Sequence, residues 1–128
     1  MGYEVEKLAA ENAVVGEGPV WDVESQTLYW IDIQGGKIWN YDPANGENTV
    51  LHTGYNVAGA TRNKQGGLAV GTWEGVQLWN SDNDYTWLFK GDVEGRPIKL
   101  NDVTVGPDGS MYGGSGHLDS CTLVPFNT

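Results

Sequence analysis

Gly16-Glu17-Gly18-Pro19-Val20-Trp21-Asp22 opens a strand-turn-strand pattern that returns twice further along the chain. Aligned without a gap, Val20 to Ile33 (VWDVESQTLYWIDI), Ala60 to Trp73 (ATRNKQGGLAVGTW) and Val103 to Gly116 (VTVGPDGSMYGGSG) each set a polar turn between two strands. The turns cover 23–27, 63–67 and 106–110, and Leu28, Leu68 and Met111 follow them at equivalent places. Successive repeats start 40 and then 43 residues apart. A period of ~40 to 50 residues made of short strands predicts a β-propeller, each repeat being one four-stranded blade.

Outward from the repeat, the strands of the first blade are expected at Pro19–Asp22, Leu28–Ile33, Lys37–Tyr41 and Thr49–His52. Gly35-Gly36 and Asp42-Pro43-Ala44-Asn45-Gly46 separate them, and both are turn signals. Leu28 to Ile33 is apolar at nearly every position, which suits a strand covered on both faces. The second blade is expected at Gly59–Arg62, Leu68–Thr72, Val76–Asn80 and Tyr85–Phe89, with Ser81 to Asp84 as its outer turn. The third shows only its first half, and the tail after Gly116 departs from the repeat. The fold class is therefore all-β, a partial propeller in one domain, 1–128. Blade 1 covers about 14–52, blade 2 about 57–90 and an incomplete blade 3 about 99–128. Propellers close with ~4 to 8 blades, so a part-ring leaves the outer faces of its terminal blades open to self-association.

Composition narrows the partners. Nineteen glycines, six Trp and six Tyr in 128 residues suit tight turns between aromatic-rich strands. A formal charge of -10 repels phosphate backbones and anionic headgroups, so no nucleic acid and no membrane surface is expected as a partner. No run approaches the ~20 apolar residues of a membrane span, and the first residues lack a secretion signal; a cytoplasmic location is expected. Cys121 is the single cysteine, which excludes an internal disulfide.

The ordered set Gly16-Glu17-Gly18-Pro19-Val20-Trp21, Leu28-Tyr29-Trp30-Ile31-Asp32-Ile33, Gly36-Lys37-Ile38, Tyr41-Asp42-Pro43, Leu100-Asn101-Asp102 and Gly106-Pro107-Asp108-Gly109 resembles the SMP-30/gluconolactonase (regucalcin-like) family. The resemblance spans roughly residues 14 to 116 and less than half of the family's pattern, its N-terminal half. It implies a six-bladed propeller that hydrolyses sugar lactones or related esters with one divalent metal in the central channel.

Opening a lactone needs a polarised carbonyl, an attacking water and an acceptor for its proton; a metal serves the first and assists the second. By the resemblance, Glu17 matches a metal ligand of the Gly-Glu-Gly-Pro segment. Oxygen ligands suit calcium first, with magnesium, manganese and zinc compatible. The family's substrate-contacting Arg-x-Asn-Asp motif falls on Lys99-Leu100-Asn101-Asp102. Asn101 fits; Lys99 brings a point charge where the family has a planar fork. By residue type alone, Glu17 also reads as a solvated carboxylate in a glycine turn, and Asn101-Asp102 equally as a side-chain-bonded turn. The family's remaining ligands, including the general base, match no position of this chain.

Asp32 and Asp42 are not expected to replace them, since one lies in a strand pattern and the other opens an Asp-Pro turn. His52 and His117 read as surface or packing residues, and Trp30, Trp39, Trp73 and Trp79 as blade-to-blade core. Three functions stay open: a lactonase acting on a small lactone, its ring completed by a homodimer or a missing segment; a noncatalytic binding module; and an inactive fragment.

Overall fold

A computed structural model describes residues 2–117 and 120–126, with side chains through residue 116. Among these residues there is no helix, and the strands fall into the expected repeat. Blade 1 runs β1 (Gly16–Asp22), β2 (Thr27–Asp32), β3 (Lys37–Asp42) and β4 (Glu47–Thr53), hydrogen-bonded in that order. Blade 2 repeats the plan with β5 (Val57–Arg62), β6 (Leu68–Thr72), β7 (Gly75–Ser81) and β8 (Asp84–Lys90). A two-stranded ribbon, β9 (Asp92–Val93) and β10 (Arg96–Pro97), lies in the link the sequence reading left unassigned. Blade 3 comprises β11 (Leu100–Val105), β12 (Met111–His117) and β13 (Ser120–Phe126). The tail after Gly116 does not leave the repeat: β13 pairs antiparallel with β12 from Met111↔Phe126 to His117↔Ser120. Its irregular sequence hid a third strand.

Every blade is antiparallel throughout, but the ungapped alignment slips in the first hairpin. Four residues separate the paired ends Asp22 and Thr27, whereas five separate Arg62 from Leu68 and Val105 from Met111. Pairing partners in blade 1 are therefore displaced by one residue, the step that decides which face a strand residue occupies. Gln26, at φ 57, closes the shorter turn.

The core lies between blades. Ile31, Ile33, Ile38, Val57, Ala60, Leu68, Val70 and Trp79 form one buried cluster joining blades 1 and 2. Ala58, Ala69, Val76, Ile98, Leu100 and Met111 form a second, joining blades 2 and 3. Every residue of β6 is buried, while β2 is half-buried over its first four positions. The expectation that Leu28 to Ile33 is covered on both faces thus holds only at its end. The central blade has neighbours on both sides; blade 1 has one among the described residues. Close approach to blade 3 depends on Gly71, where a Cβ would stand 2.7 Å from Val103 Cγ1.

His52 is not a surface residue. It is 2% exposed, its Nδ1 meets the Asp82 carboxylate of the β7–β8 turn, and its Nε2 reaches the Tyr55 carbonyl at 3.1 Å. Tyr55 donates its hydroxyl to Gln77 Oε1 at 2.7 Å, extending this polar seam across the first two blades. Trp39 and Trp79 are buried as expected, and Trp30 stacks on Trp39 at 5.3 Å. The side chains of His117 and Cys121 lie outside the described residues.

Candidate functional site

The first strand of every blade carries the same irregularity. Pairing gains one residue between Glu17 and Val20, between Val57 and Gly59, and between Leu100 and Asp102. Such bulges bend a strand and re-aim its side chains. Gly18, at φ 61, supplies the left-handed turn in β1 directly after Glu17. Asn101 is the extra residue of the bulge in β11.

The opening of β1 and the entry to β11 bring the three expected site residues together. Glu17, Lys99 and Asn101 line one cavity of ≈360 Å³, with Trp73, Ser115 and Gln34 among its other walls. Ile33, Trp73 and Gly116, the last residues of the three aligned repeats, all border it. A larger hollow of ≈500 Å³, built around the turn residues 63–65 and 108–109, holds none of the three.

The cavity's position rests on backbone clamps. Asp32, 3% exposed, accepts the N–H groups of Val14 (2.9 Å), Val15 (2.9 Å) and Gly35 (3.0 Å). Burial pushes its carboxyl up most strongly. The N–H groups of Val15, Gly35 and Val14, with the charge of Lys37, outweigh that and hold it below the ordinary carboxylate value. Asp32 therefore fixes the segment that enters β1 immediately before Gly16-Glu17. Asn56 donates to the Ile33 carbonyl at 2.7 Å, tying the same corner to blade 2. Asp42 caps its own turn, accepting the Ala44 N–H at 2.8 Å. Neither aspartate lines the cavity.

Lys99 is held from both sides. Its N–H donates to Ser115 Oγ at 3.2 Å and its carbonyl accepts the Gly116 N–H at 2.9 Å, fastening it to β12. The Lys99 ammonium stands 4.0 Å from the centre of the Trp73 ring. Sequence reasoning ranked Trp73 as blade-to-blade core ahead of a sugar-stacking platform. It does pack against both apolar clusters, but it is half-buried and forms a wall of the cavity. Its equivalence with Gly116 in the repeat was the signal that could have found it.

The donor set of the cavity is oxygen and nitrogen. Among the described residues, Glu17 is its one carboxylate. No group of three or more His, Cys, Asp and Glu stands close enough to hold an ion among those residues. Calcium takes roughly six to eight oxygens. The chain's described residues do not complete such a site.

Repeated antiparallel sheets packed face to face, with a cavity beside the first-strand bulges of blades 1 and 3, define part of a β-propeller. The chain belongs to the family described as SMP-30/Gluconolactonase/LRE-like region, which matches residues 15–123. It is 30% identical over 106 residues to a pentonolactonase of Haloferax volcanii, a match covering 83% of this chain and 36% of that protein. A 6-deoxy-6-sulfogluconolactonase of Pseudomonas putida is 30% identical over 104 residues, covering 80% and 36%. Regucalcin of Xenopus laevis is 28% identical over 113 residues, covering 87% and 38%. The chain thus spans 36% to 38% of the length of these relatives. Among solved structures, a calcium-binding protein, regucalcin, from Agrobacterium tumefaciens superposes with a TM-score of 0.79 at 18% identity, covering 92% of this chain and 42% of that one. At that identity the likeness establishes the fold.

Proposed function

We propose that the chain supplies the opening blades of a sugar-lactone hydrolase, with Lys99 and Asn101 contacting substrate and Glu17 contributing to a divalent cation. The observation that carries this reading is the meeting of all three residues on one ≈360 Å³ cavity. Water attacks the lactone carbonyl as a base takes its proton, a tetrahedral oxyanion forms, and collapse breaks the ring ester, the expelled ring oxygen regaining the proton to give a hydroxy acid. The Lys99 ammonium and the Asn101 amide donate to lactone oxygens, and the Asn101 carbonyl oxygen accepts a sugar hydroxyl. A bound cation would polarise the carbonyl. Calcium suits the oxygen donors, and the Agrobacterium tumefaciens regucalcin that shares the fold is named as a calcium-binding protein. The ligands and the base that Glu17 lacks belong, in this reading, to blades beyond those described or to a second copy that completes the ring.

The test is acid release from D-glucono-1,5-lactone with calcium present, for the wild type and for Glu17→Gln, Asn101→Ala and Lys99→Ala. The expected result is saturable turnover whose kcat/KM falls about ten-fold or more in Glu17→Gln and Asn101→Ala and about two- to five-fold in Lys99→Ala. Turnover unchanged in all three variants would refute the assignment. The alternative, a binding module without turnover, is favoured by Glu17 being the one acid on the cavity among the described residues. Saturable lactone binding with no acid release selects that alternative.

A further inference from the structure

Of the chain's five lysines, three sit over tryptophans: Lys37 over Trp39 at 5.4 Å, Lys90 over Trp87 at 4.7 Å, and Lys99 over Trp73 at 4.0 Å. Only the last pair lines the cavity. Trp73 is fixed from behind by the two apolar clusters, so its ring is a rigid surface. Lys99 has no ion pair among the described residues, although Glu17 shares the cavity with it.

We propose that Trp73 is a positioning residue for Lys99, holding its ammonium as an un-neutralised donor to the ring and hydroxyl oxygens of a bound lactone. The inference rests on the lactone reading of the same cavity. A lysine has a flexible four-carbon stem and no preformed fork, so an unsupported ammonium spends much of its time away from any one position. A carboxylate partner would fix it but cancel its field and occupy its N–H groups. An aromatic face fixes it through the ring quadrupole and leaves N–H donors free. Trp73 thereby gives a lysine the placement that a guanidinium fork would gain from its own rigidity, and the cost of losing it falls on binding.

Carbon-detected NMR of the lysine Cε groups tests the pair, with far-UV circular dichroism as the folding control. In the wild type the Lys99 signal is displaced upfield by the Trp73 ring, relative to Lys7 and Lys64, and moves on titration with fresh D-glucono-1,5-lactone. Trp73→Leu abolishes the displacement and weakens lactone binding about two- to five-fold, while Trp73→Phe restores most of both. Lys99→Ala gives a similar loss of affinity, and adding Trp73→Leu to it costs little more. Where turnover occurs, the loss appears in KM with kcat nearly unchanged. A Lys99 signal unaffected by Trp73→Leu, or equal losses in the Leu and Phe variants with intact folding, overturns the proposal. A displaced, Trp73-dependent Lys99 signal that lactone does not move overturns the lactone reading instead and leaves the Lys99–Trp73 positioning standing.

Discussion

Replacing Asp32 tests whether the cavity rests on the backbone clamp described for it. Its carboxylate accepts N–H groups from Val14, Val15 and Gly35 at 2.9, 2.9 and 3.0 Å, within a site 3% exposed. A hydrogen bond to a charged acceptor contributes about 1.5–3 kcal/mol net, and an orphaned buried donor costs about 1–3 kcal/mol. Water can reach part of the vacated space, so Asp32→Ala should cost about 3 kcal/mol, out of a total of roughly 5–15 for a domain. Asp32→Asn keeps one acceptor oxygen without the charge and should cost about half as much. Urea titration followed by tryptophan fluorescence reads this as a lowered midpoint at constant slope. The acid limb adds a second check. The folded carboxyl lies below its ordinary value, so folded chains bind fewer protons than unfolded ones through that range. Its contribution is complete above the unfolded value of about 3.9 and is lost as pH falls through the lowered folded value. Asp32→Asn should therefore lose less stability than the wild type between about pH 5 and pH 2. An Asp32→Ala protein within about 0.5 kcal/mol of wild type would refute the clamp.

Tyr55 should act in the opposite direction. Burial raises its phenol above the ordinary value, opposed by its bond to Gln77 and assisted by the charge of Asp82. Its contribution is present below about pH 10 and declines as pH rises through the raised value. Tyr55→Phe should remove that decline in alkaline unfolding. It should also cost about 1 kcal/mol at neutral pH, because it removes the donor to Gln77 Oε1 on a side chain whose Nε2 already lacks a partner among the described residues. Gly71→Ala would drive a Cβ to within 2.7 Å of Val103 and 3.1 Å of Leu100, a cavity wall. Overpacking of this kind costs about 1–3 kcal/mol and should lower the melting temperature by several degrees; an unchanged melt would mean blades 2 and 3 are not held that close. Calcium titrated into the chain by calorimetry should bind no tighter than about 10⁻³ M, given one carboxylate on the cavity, and Glu17→Gln should remove the residual heat. Binding indifferent to Glu17→Gln would refute that ligand assignment.

Short-range pattern was enough for the blades. Apolar runs such as Leu28 to Ile33 and turn clusters such as Asp42 to Gly46 report strands and reversals, because side-chain alternation and turn geometry are set within a few residues. The repeat placed eight strands in the first two blades, and family resemblance picked out Glu17, Lys99 and Asn101, which the fold then gathered on one cavity. Other features needed the packed chain. The third strand of blade 3 had no clear pattern in residues 120–126 and became visible as a pairing with β12. The shorter first hairpin, with its one-residue displacement, depends on hydrogen-bond register, which sequence periodicity constrains only loosely. His52 was buried by a partner thirty residues away, Asp82, and Asp32 became a clamp through Val14 and Val15, which lie across the turn from it. Trp73 shows the division most clearly. Its repeat position made it a strand-end aromatic, but only the meeting of blades 2 and 3 set a lysine on its exposed face and turned a packing residue toward the cavity. Contacts between residues distant in sequence carry no periodic signal of their own, so tertiary packing alone could decide them.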